Sequence, residues 1–300
     1  MRKFVIISDS CCDLDKSLRE RFDVEYIPMH ISFKGKDMKA DLDWNEVSVQ
    51  EYYQAMREGN RVTTAQITAN EYREAFEKHL QAGCDVLSIS CSSAFSKSVE
   101  TSYAVRDELK AKYPEAKIIC VDSLIAVAGL GMLCIRASEL RAEGKTIEET
   151  AAWIEENKLK VNQECTPDKL TWLKQAGRVS AASAFFGGLL NVKPIIISDA
   201  SGMNVAVEKV KGRQTALKRL IERFKEEYES VPYQRIFISH ADCLEEALQF
   251  KEMVIEALPD KDVEMHLVNF GPIIGATVGP GMIALFFHGK EVTYDSRVKN

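Results

Sequence analysis

Short apolar runs alternate with longer amphipathic runs along the chain, and this alternation restricts the possible folds more than any other feature of the sequence. In the first half, the strand-like runs are Phe4–Ile7, Val24–Phe33, Asp85–Ser90 and Lys117–Val121. Strands that alternate with helices favour a parallel sheet covered by helices, whose ligands bind beyond the carboxyl ends of the strands. We therefore expect an N-terminal α/β domain built on a parallel sheet.

The predicted helices begin with recognisable N-terminal motifs, and the second half of the chain has a different pattern of apolar and polar residues. Thr68–Glu71 and Thr146–Glu149 both have the spacing of a capping box. After a polar stretch at 155–160, Thr166-Pro167-Asp168 predicts a helix that runs to Gly177. Later runs such as 204–210 alternate apolar and polar residues, which is typical of half-exposed antiparallel strands. We predict two domains, 1–160 and 161–300, the second with a mixed or antiparallel sheet and packed helices.

Composition excludes several classes of function. The 300 residues suffice for a sizeable core, and the net charge of −6 gives no electrostatic reason to bind nucleic acid. The chain has no apolar run of 18 residues, so we expect no membrane span, and Phe4–Ile7 is too short for the apolar part of a signal peptide. Eight cysteines without a CxxC pair suggest a reducing cytoplasm and no metal site.

Four loop clusters stand next to predicted strands and concentrate hydroxyls, carboxylates or glycines. In the segment from Ser90 to Ser98, six of nine residues are Ser or Cys. Such residues often cap helices, but they also supply neutral hydrogen-bond donors to a ligand. The four clusters are Ser8–Leu14, Thr63–Thr68, Ser90–Ser98 and Gly271–Gly281.

Conventional catalytic motifs are absent from the sequence. It contains no GxSxG, GxGxxG, HExxH or phosphate-loop pattern. Ser92 or Ser93 as a nucleophile would need a base that the sequence does not place, and His240, at a predicted strand end, is more typical of a structural histidine. Arg178 follows a predicted helix, and its planar guanidinium suits either a neighbouring acid or an anionic ligand.

The clusters, in this order, resemble the DegV family of bacterial proteins, which includes the fatty-acid-binding subunits of fatty acid kinase. The resemblance covers essentially the whole chain. The quoted segments are SDSCCDL, TAQIT at 64–68, SSAFSKS, VDSLIAVAGLG at 121–131, LTWLKQAGRVSAASAFFGGLLNVKPII at 170–196, the Lys211–Arg213 segment, SHAD and TVGPG.

The resemblance implies a long-chain fatty acid buried between the two domains. It places the carboxylate at Thr64 and Ser93, with support from Ser92, the Ala94 amide at a helix start, Arg178 and position 277. Family members of this type are carriers, not catalysts, and need no further cofactor. They present the carboxylate to a separate ATP-dependent kinase for phospholipid synthesis, and Arg213 is a candidate contact with that partner. The candidates for lining the tail tunnel are Phe95, Phe185, Phe186, Leu189 and Ile283.

The sequence departs from the family pattern at several positions. The family usually has a histidine where this chain has Thr277, so we expect a water or a neighbouring side chain to fill the gap. Ala65, Ile67 and Lys97 are further differences. Two alternatives stay open: a serine-dependent hydrolase or acyl-transfer enzyme, and a binding protein for a smaller anionic metabolite.

Overall fold

The first half of the chain contains a parallel sheet and a small antiparallel sheet. A computed structural model describes residues 2–180 and 191–298. The parallel sheet has the order β2-β1-β6-β7 and the antiparallel sheet the order β4-β3-β5. Their strands are β1 (Phe4–Asp9), β2 (Val24–Ile27), β3 (His30–Phe33), β4 (Lys36–Lys39), β5 (Thr63–Ala65), β6 (Asp85–Ser90) and β7 (Ile118–Asp122).

A seven-stranded mixed sheet takes all its strands from residue 161 onward. Its order is β13-β12-β14-β8-β10-β11-β9, with parallel pairs only at the two edges. The strands are β8 (Val161–Thr166), β9 (Val179–Ser180), β10 (Val192–Ser198), β11 (Asn204–Lys211), β12 (Arg235–His240), β13 (Glu264–Asn269) and β14 (Ile283–His288). The expected fold class, a parallel-sheet region followed by a mixed sheet with packed helices, is confirmed.

One helix lies between the two large sheets. Ten α-helices occur in the described ranges, and α5 contacts both β1 and β6 on one side and β8, β12 and β14 on the other. Most of its residues are buried, as expected for a helix that is apolar on all sides. The helices are α1 (Lys16–Phe22), α2 (Val49–Arg57), α3 (Ala69–Gln81), α4 (Ser98–Lys112), α5 (Val127–Ala142), α6 (Ile147–Asn157), α7 (Thr171–Ala176), α8 (Arg213–Glu227), α9 (Leu244–Ala257) and α10 (Pro272–Val278).

The two faces of the mixed sheet bury different apolar clusters. Leu285 and Phe287 of β14 pack with residues of α8 and α9, whereas Ala284 and Phe286 belong to the cluster that continues through α5 into the parallel sheet. This division follows from the two-residue period of a strand, which sends successive side chains to opposite faces. The face of the mixed sheet that carries Ala284 and Phe286 therefore borders the space between the two large sheets.

Two of the expected elements differ from the structure. The run Val24–Phe33 forms two strands in different sheets, separated by Pro28 and Met29. The helix start expected at Thr166 is wrong, because Thr166 pairs with Ile283 as the last residue of β8 and the helix begins at Thr171. Both capping boxes, at Thr68 and Thr146, are confirmed.

The predicted domain boundary near residue 160 coincides with a short 3-10 helix, Lys158–Lys160, directly before β8. Within the described ranges, no helix combines the length and the apolar character that a membrane span requires.

Candidate functional site

A cavity of about 580 Å³ lies between the sheets, at the carboxyl ends of β1 and β6 and the start of α5. This is the edge at which parallel strands place ligands, and the volume falls in the range typical of small-molecule sites. Its wall draws residues from both halves of the chain. Lining residues from the first half include Cys11 and Val127, and those from the second half include Ala284 and Phe286.

The inner wall of the cavity is largely apolar. Val127 begins α5 with a positive φ of 60°, a conformation that β-branched residues rarely adopt, and its amide donates to the carbonyl of Cys11 at 2.7 Å. The strand end and the helix start are thereby held together at the cavity wall. The apolar lining residues include Cys11, Met29, Cys91, Phe95, Ala126, Val127, Phe270, Ile273, Ile274, Val278, Met282, Ala284 and Phe286.

Hydroxyl and cationic side chains meet at the outer part of the same cavity. Thr64 lies on β5, Ser93 follows β6, and Thr277 lies near the end of α10, yet all three line the cavity together with Arg178. Thr64, Ser93 and Arg178 are exposed and Thr277 is half-buried. The structure thus brings together four side chains that the sequence placed at a carboxylate, and we call these four residues the rim.

Ser92 and Ala94 shape the rim from within the protein. Ser92 is fully buried; its hydroxyl donates to the carbonyl of Gly202 at 2.8 Å and accepts the Ala94 amide at 3.1 Å. The amides of Phe95 and Ser96 donate to the Ser92 carbonyl. Ser92 and the Ala94 amide were expected to support the carboxylate at Ser93; the Ser92 hydroxyl instead holds the loop conformation, and the Ala94 amide is bonded to it.

The start of α4 also differs from the expected anion site. The helix begins at Ser98 after an N-cap residue, Lys97, and the Ser98 amide donates to the Ser96 hydroxyl at 3.2 Å. The Ser93 amide donates to the carboxylate of Asp122 at 3.2 Å. The loop amides from 93 to 96 are therefore bonded within the protein, and side-chain hydroxyls are left to face the cavity.

The expected tail-lining residues divide into three groups. Phe95 lines the cavity. Ile283 does not, because it lies on the opposite face of β14 and packs with α8 and α9. Its neighbours Met282 and Ala284 line the cavity in its place. Phe185, Phe186 and Leu189 lie outside the described residues.

An outer cleft leads from the rim to the protein surface. Thr64, Thr277 and Arg178 also line a smaller space of about 180 Å³, which shares Arg61 and Trp172 with a surface hollow of about 860 Å³. We call these two neighbouring spaces the outer cleft.

Arg213, the expected partner contact, lies in the wall of the outer cleft but is held by the protein. Its guanidinium forms an ion pair with Glu246 at 2.7 Å and donates to the carbonyls of Thr166 and Gly281. Its side chain is only 15% exposed. The expected exposed arginine is thus a link between β8, α9 and the glycine-rich turn.

A model of the DegV family, described as "Uncharacterised protein, DegV family", matches residues 3–290. The chain belongs to the DegV family. A DegV domain-containing protein of Clostridium perfringens is 36% identical over 289 residues, which cover 96% of this chain and 98% of that protein. One from Streptococcus pyogenes is 30% identical and covers 96% of this chain and 99% of its own length.

Solved DegV structures share the fold over nearly the whole chain. DegV from Bacillus subtilis, described as a fatty acid binding protein, is 26% identical with a TM-score of 0.82. A DegV family protein from Thermus thermophilus, described by its fatty acid binding, is 26% identical with a TM-score of 0.81. In both cases the match covers 97% of this chain and 100% of the solved chain.

Sequence reasoning missed two polar groups, a pair in the wall of the cavity of this DegV protein and a buried carboxylate that does not line it. The Gln163 amide donates to the Asn204 side-chain oxygen at 2.8 Å, and both residues line the cavity. Gln163 and Cys165 share a face of β8, so strand alternation was a usable signal. The second group is Asp9, whose carboxylate accepts the amides of Cys11 and Cys91, both at 2.8 Å. Nothing in the sequence indicates that one carboxylate joins these two loops.

Proposed function

We propose that this DegV protein binds a long-chain fatty acid, with the carboxylate at the rim and the tail along the apolar wall. One observation carries the proposal: a single cavity joins the hydroxyls of Thr64, Ser93 and Thr277 to a continuous apolar surface. An amphiphile with one short polar end matches this division. The descriptions of the Bacillus and Thermus relatives as fatty acid binding proteins support the same ligand class.

The tail accounts for most of the expected affinity. Burial of one methylene contributes about 0.8 kcal/mol, so roughly 14 methylenes contribute on the order of 11 kcal/mol before the cost of association. Neutral hydroxyls hold the head group without the desolvation cost of a buried cation. Arg178 lies at the rim but is exposed, so its attraction for a carboxylate is screened by salt. The rim residues therefore determine the orientation of the ligand more than its affinity.

The decisive experiment identifies the lipid by mass spectrometry of an organic extract of the purified protein. We expect a long-chain fatty acid at close to one per chain. After delipidation, calorimetric titration should show affinity rising with chain length, and the corresponding alcohols should bind more weakly. A lipid-free extract together with no binding of any fatty acid would refute the proposal.

The Gln163–Asn204 pair favours a second candidate, a shorter anionic metabolite with a polar far end. Hydrogen-bonding groups in a cavity wall are costly to cover with methylenes, and the bond between these two reduces that cost without using all of their donors and acceptors. The extract distinguishes the candidates. A small polar acid in place of a fatty acid, with no chain-length dependence in the titration, would support the metabolite.

The finer proposal is that the protein is a carrier that presents the carboxylate to a separate ATP-dependent fatty acid kinase. The outer cleft supports this role, since it connects the rim to the surface. The test combines the lipid-loaded protein with such a kinase and ATP, and traps acyl phosphate as the hydroxamate. We expect product only with both proteins present, and more with Thr277→His. Hydroxamate formation without a kinase would contradict the carrier role.

Catalysis by the serines has less support from the geometry. Within the described ranges, neither the Ser92 nor the Ser93 hydroxyl is hydrogen-bonded to a histidine, lysine or carboxylate. The Ser92 hydroxyl is instead bonded to the Gly202 carbonyl. A serine nucleophile requires such a base within hydrogen-bond reach.

A further inference from the structure

Three cysteine and methionine sulfur atoms lie at one wall of the cavity, and the carboxylate of Asp9 lies close to two of them. The side-chain ligand atoms of Asp9, Cys11 and Cys91 all lie within 4.8 Å of one another. The Cys11 Sγ lies 3.7 Å from the Met29 Sδ. Within residues 2–180 and 191–298, this is the only group of three or more potential metal ligands of these types. The group does not include the rim residues, but Met29 and Cys91 also belong to the apolar wall of the proposed lipid site.

The carboxylate fixes the two cysteines relative to each other. One oxygen of Asp9 accepts the Cys11 amide and the other accepts the Cys91 amide, each at 2.8 Å. Both Asp9 oxygens are bonded to backbone amides of the two cysteines. Asp9 is therefore a residue that positions the cysteines, and the sulfur atoms are the available metal ligands. A site held in this way is organised before any ion arrives.

The spacing of the Cys11 and Met29 sulfurs suits one bound ion. An ion about 2.3 Å from each of two sulfurs requires those sulfurs to be about 3.8–4.0 Å apart. The observed 3.7 Å between Cys11 and Met29 needs only a small adjustment. The thiols and the Met29 side chain line the cavity, which gives an ion a path from solvent.

We propose that Cys11, Cys91 and Met29 form a binding site for monovalent copper, with three sulfur ligands. Thiolate together with thioether is the ligand set that selects Cu(I), whereas zinc sites use thiolate, imidazole and carboxylate. One Cu⁺ replaces the protons of the two thiols, so two protons are released and no electron is transferred. The Met29 sulfur completes the coordination without a charge.

The experiment titrates the reduced, delipidated full-length protein with Cu(I) under anaerobic conditions against a chromophoric Cu(I) chelator. We expect one high-affinity equivalent, and three sulfur neighbours by X-ray absorption. Cys11→Ser and Cys91→Ser should each abolish this equivalent. Met29→Leu should weaken it about tenfold or more and leave two sulfur neighbours. Cys84→Ser is the matched control, because Cys84 follows α3 outside the cavity, and it should bind as the unmodified protein does.

Three outcomes would overturn the proposal: no uptake, uptake unchanged in Cys11→Ser or Cys91→Ser, or coordination by nitrogen and oxygen alone. Thermal unfolding of each variant separates lost binding from lost structure. If a cysteine variant does not fold, Met29→Leu decides, because Leu conserves the volume of Met and removes only the sulfur.

Discussion

The hydroxyl of Ser92 donates a hydrogen bond of 2.8 Å to the backbone carbonyl of Gly202. This bond joins the loop after β6 in the parallel sheet to the turn between β10 and β11 in the mixed sheet. The same hydroxyl accepts the Ala94 amide, so the bond also fixes the loop that carries Ser93. The shape of the rim therefore depends on a contact between the two halves of the chain.

Gly202→Ala should destabilise the protein and displace this loop. Gly202 has a φ of 77°, and a Cβ there would lie 2.3 Å from the Ser92 Oγ and 2.9 Å from the Leu124 Cα. We expect a loss of about 2–4 kcal/mol in the free energy of unfolding, from backbone strain and overpacking together. Urea denaturation measures it. Gly83→Ala is the matched control, since Gly83 has a φ of 80° and no atom within 4 Å of its Cβ position. Equal losses in both variants would contradict a role for the Ser92 contact.

Removal of the rim hydroxyls should weaken recognition of the head group selectively. Thr64→Val and Ser93→Ala should each lower fatty acid affinity about tenfold, as expected for one hydrogen bond to a charged group. Affinity for the alcohol of equal length should change less, because it carries no charge. Calorimetric titration with both ligands measures the ratio. Ser17→Ala, an exposed serine on α1, is the control. An unchanged acid-to-alcohol ratio in the rim variants would argue against these contacts.

A larger side chain at position 284 should shorten the accepted tail. Ala284 lines the cavity from β14, so Ala284→Leu fills part of the space beside the apolar wall. We expect the optimum chain length to fall by several carbons, measured by titration with a fatty acid series. Ala247→Leu is the control, since Ala247 is equally buried but lies in the cluster around α8 and α9. That variant should lower thermal stability by overpacking and leave the chain-length optimum unchanged; a shift there would contradict the division into two faces.

Acid stability should depend on His288. Burial, with the nearby Arg235 and Arg136 charges, lowers the pKa of His288 from 6.5 to about 3. The unfolded chain therefore binds a proton that the folded protein does not, and stability present above pH 6.5 is lost as the pH falls towards 3. His288→Phe should reduce the difference in unfolding free energy between pH 7.5 and pH 5 by about 2 kcal/mol. Denaturation at both pH values tests this, and an unchanged difference would contradict it.

The sequence predicts the fold class and the edge of the sheet at which the cavity lies, because these follow from periodicity and from the rule that ligands bind at strand carboxyl ends. The family resemblance pointed to Ser93 and Thr64, and both residues line the cavity. Both capping boxes were predicted because a cap is a local interaction that needs only three residues of context.

Features that depend on long-range contacts could not be predicted. The strand alternation was visible, but it does not say which face of β14 meets the cavity, and Ile283 was assigned to the wrong one. Pairing with Ile283 keeps Thr166 in a strand, although the following Pro167 and Asp168 are typical of a helix start. The hydrogen bond from Ser92 to Gly202 joins residues 110 positions apart, and the ion pair of Arg213 with Glu246 joins residues 33 positions apart.

The alternation along β14 separates two requirements on one strand. Ala284 and Phe286 border the ligand space, and Ile283, Leu285 and Phe287 hold the mixed sheet to its helices. Substitutions at the first two positions can therefore change which molecule fits while the other three keep the domain folded. An inserted or deleted residue affects binding and folding together, because it moves every following side chain of the strand to the other face of the sheet. Relatives can thus diverge in ligand preference by point substitution, whereas a change of strand length here disrupts both binding and folding.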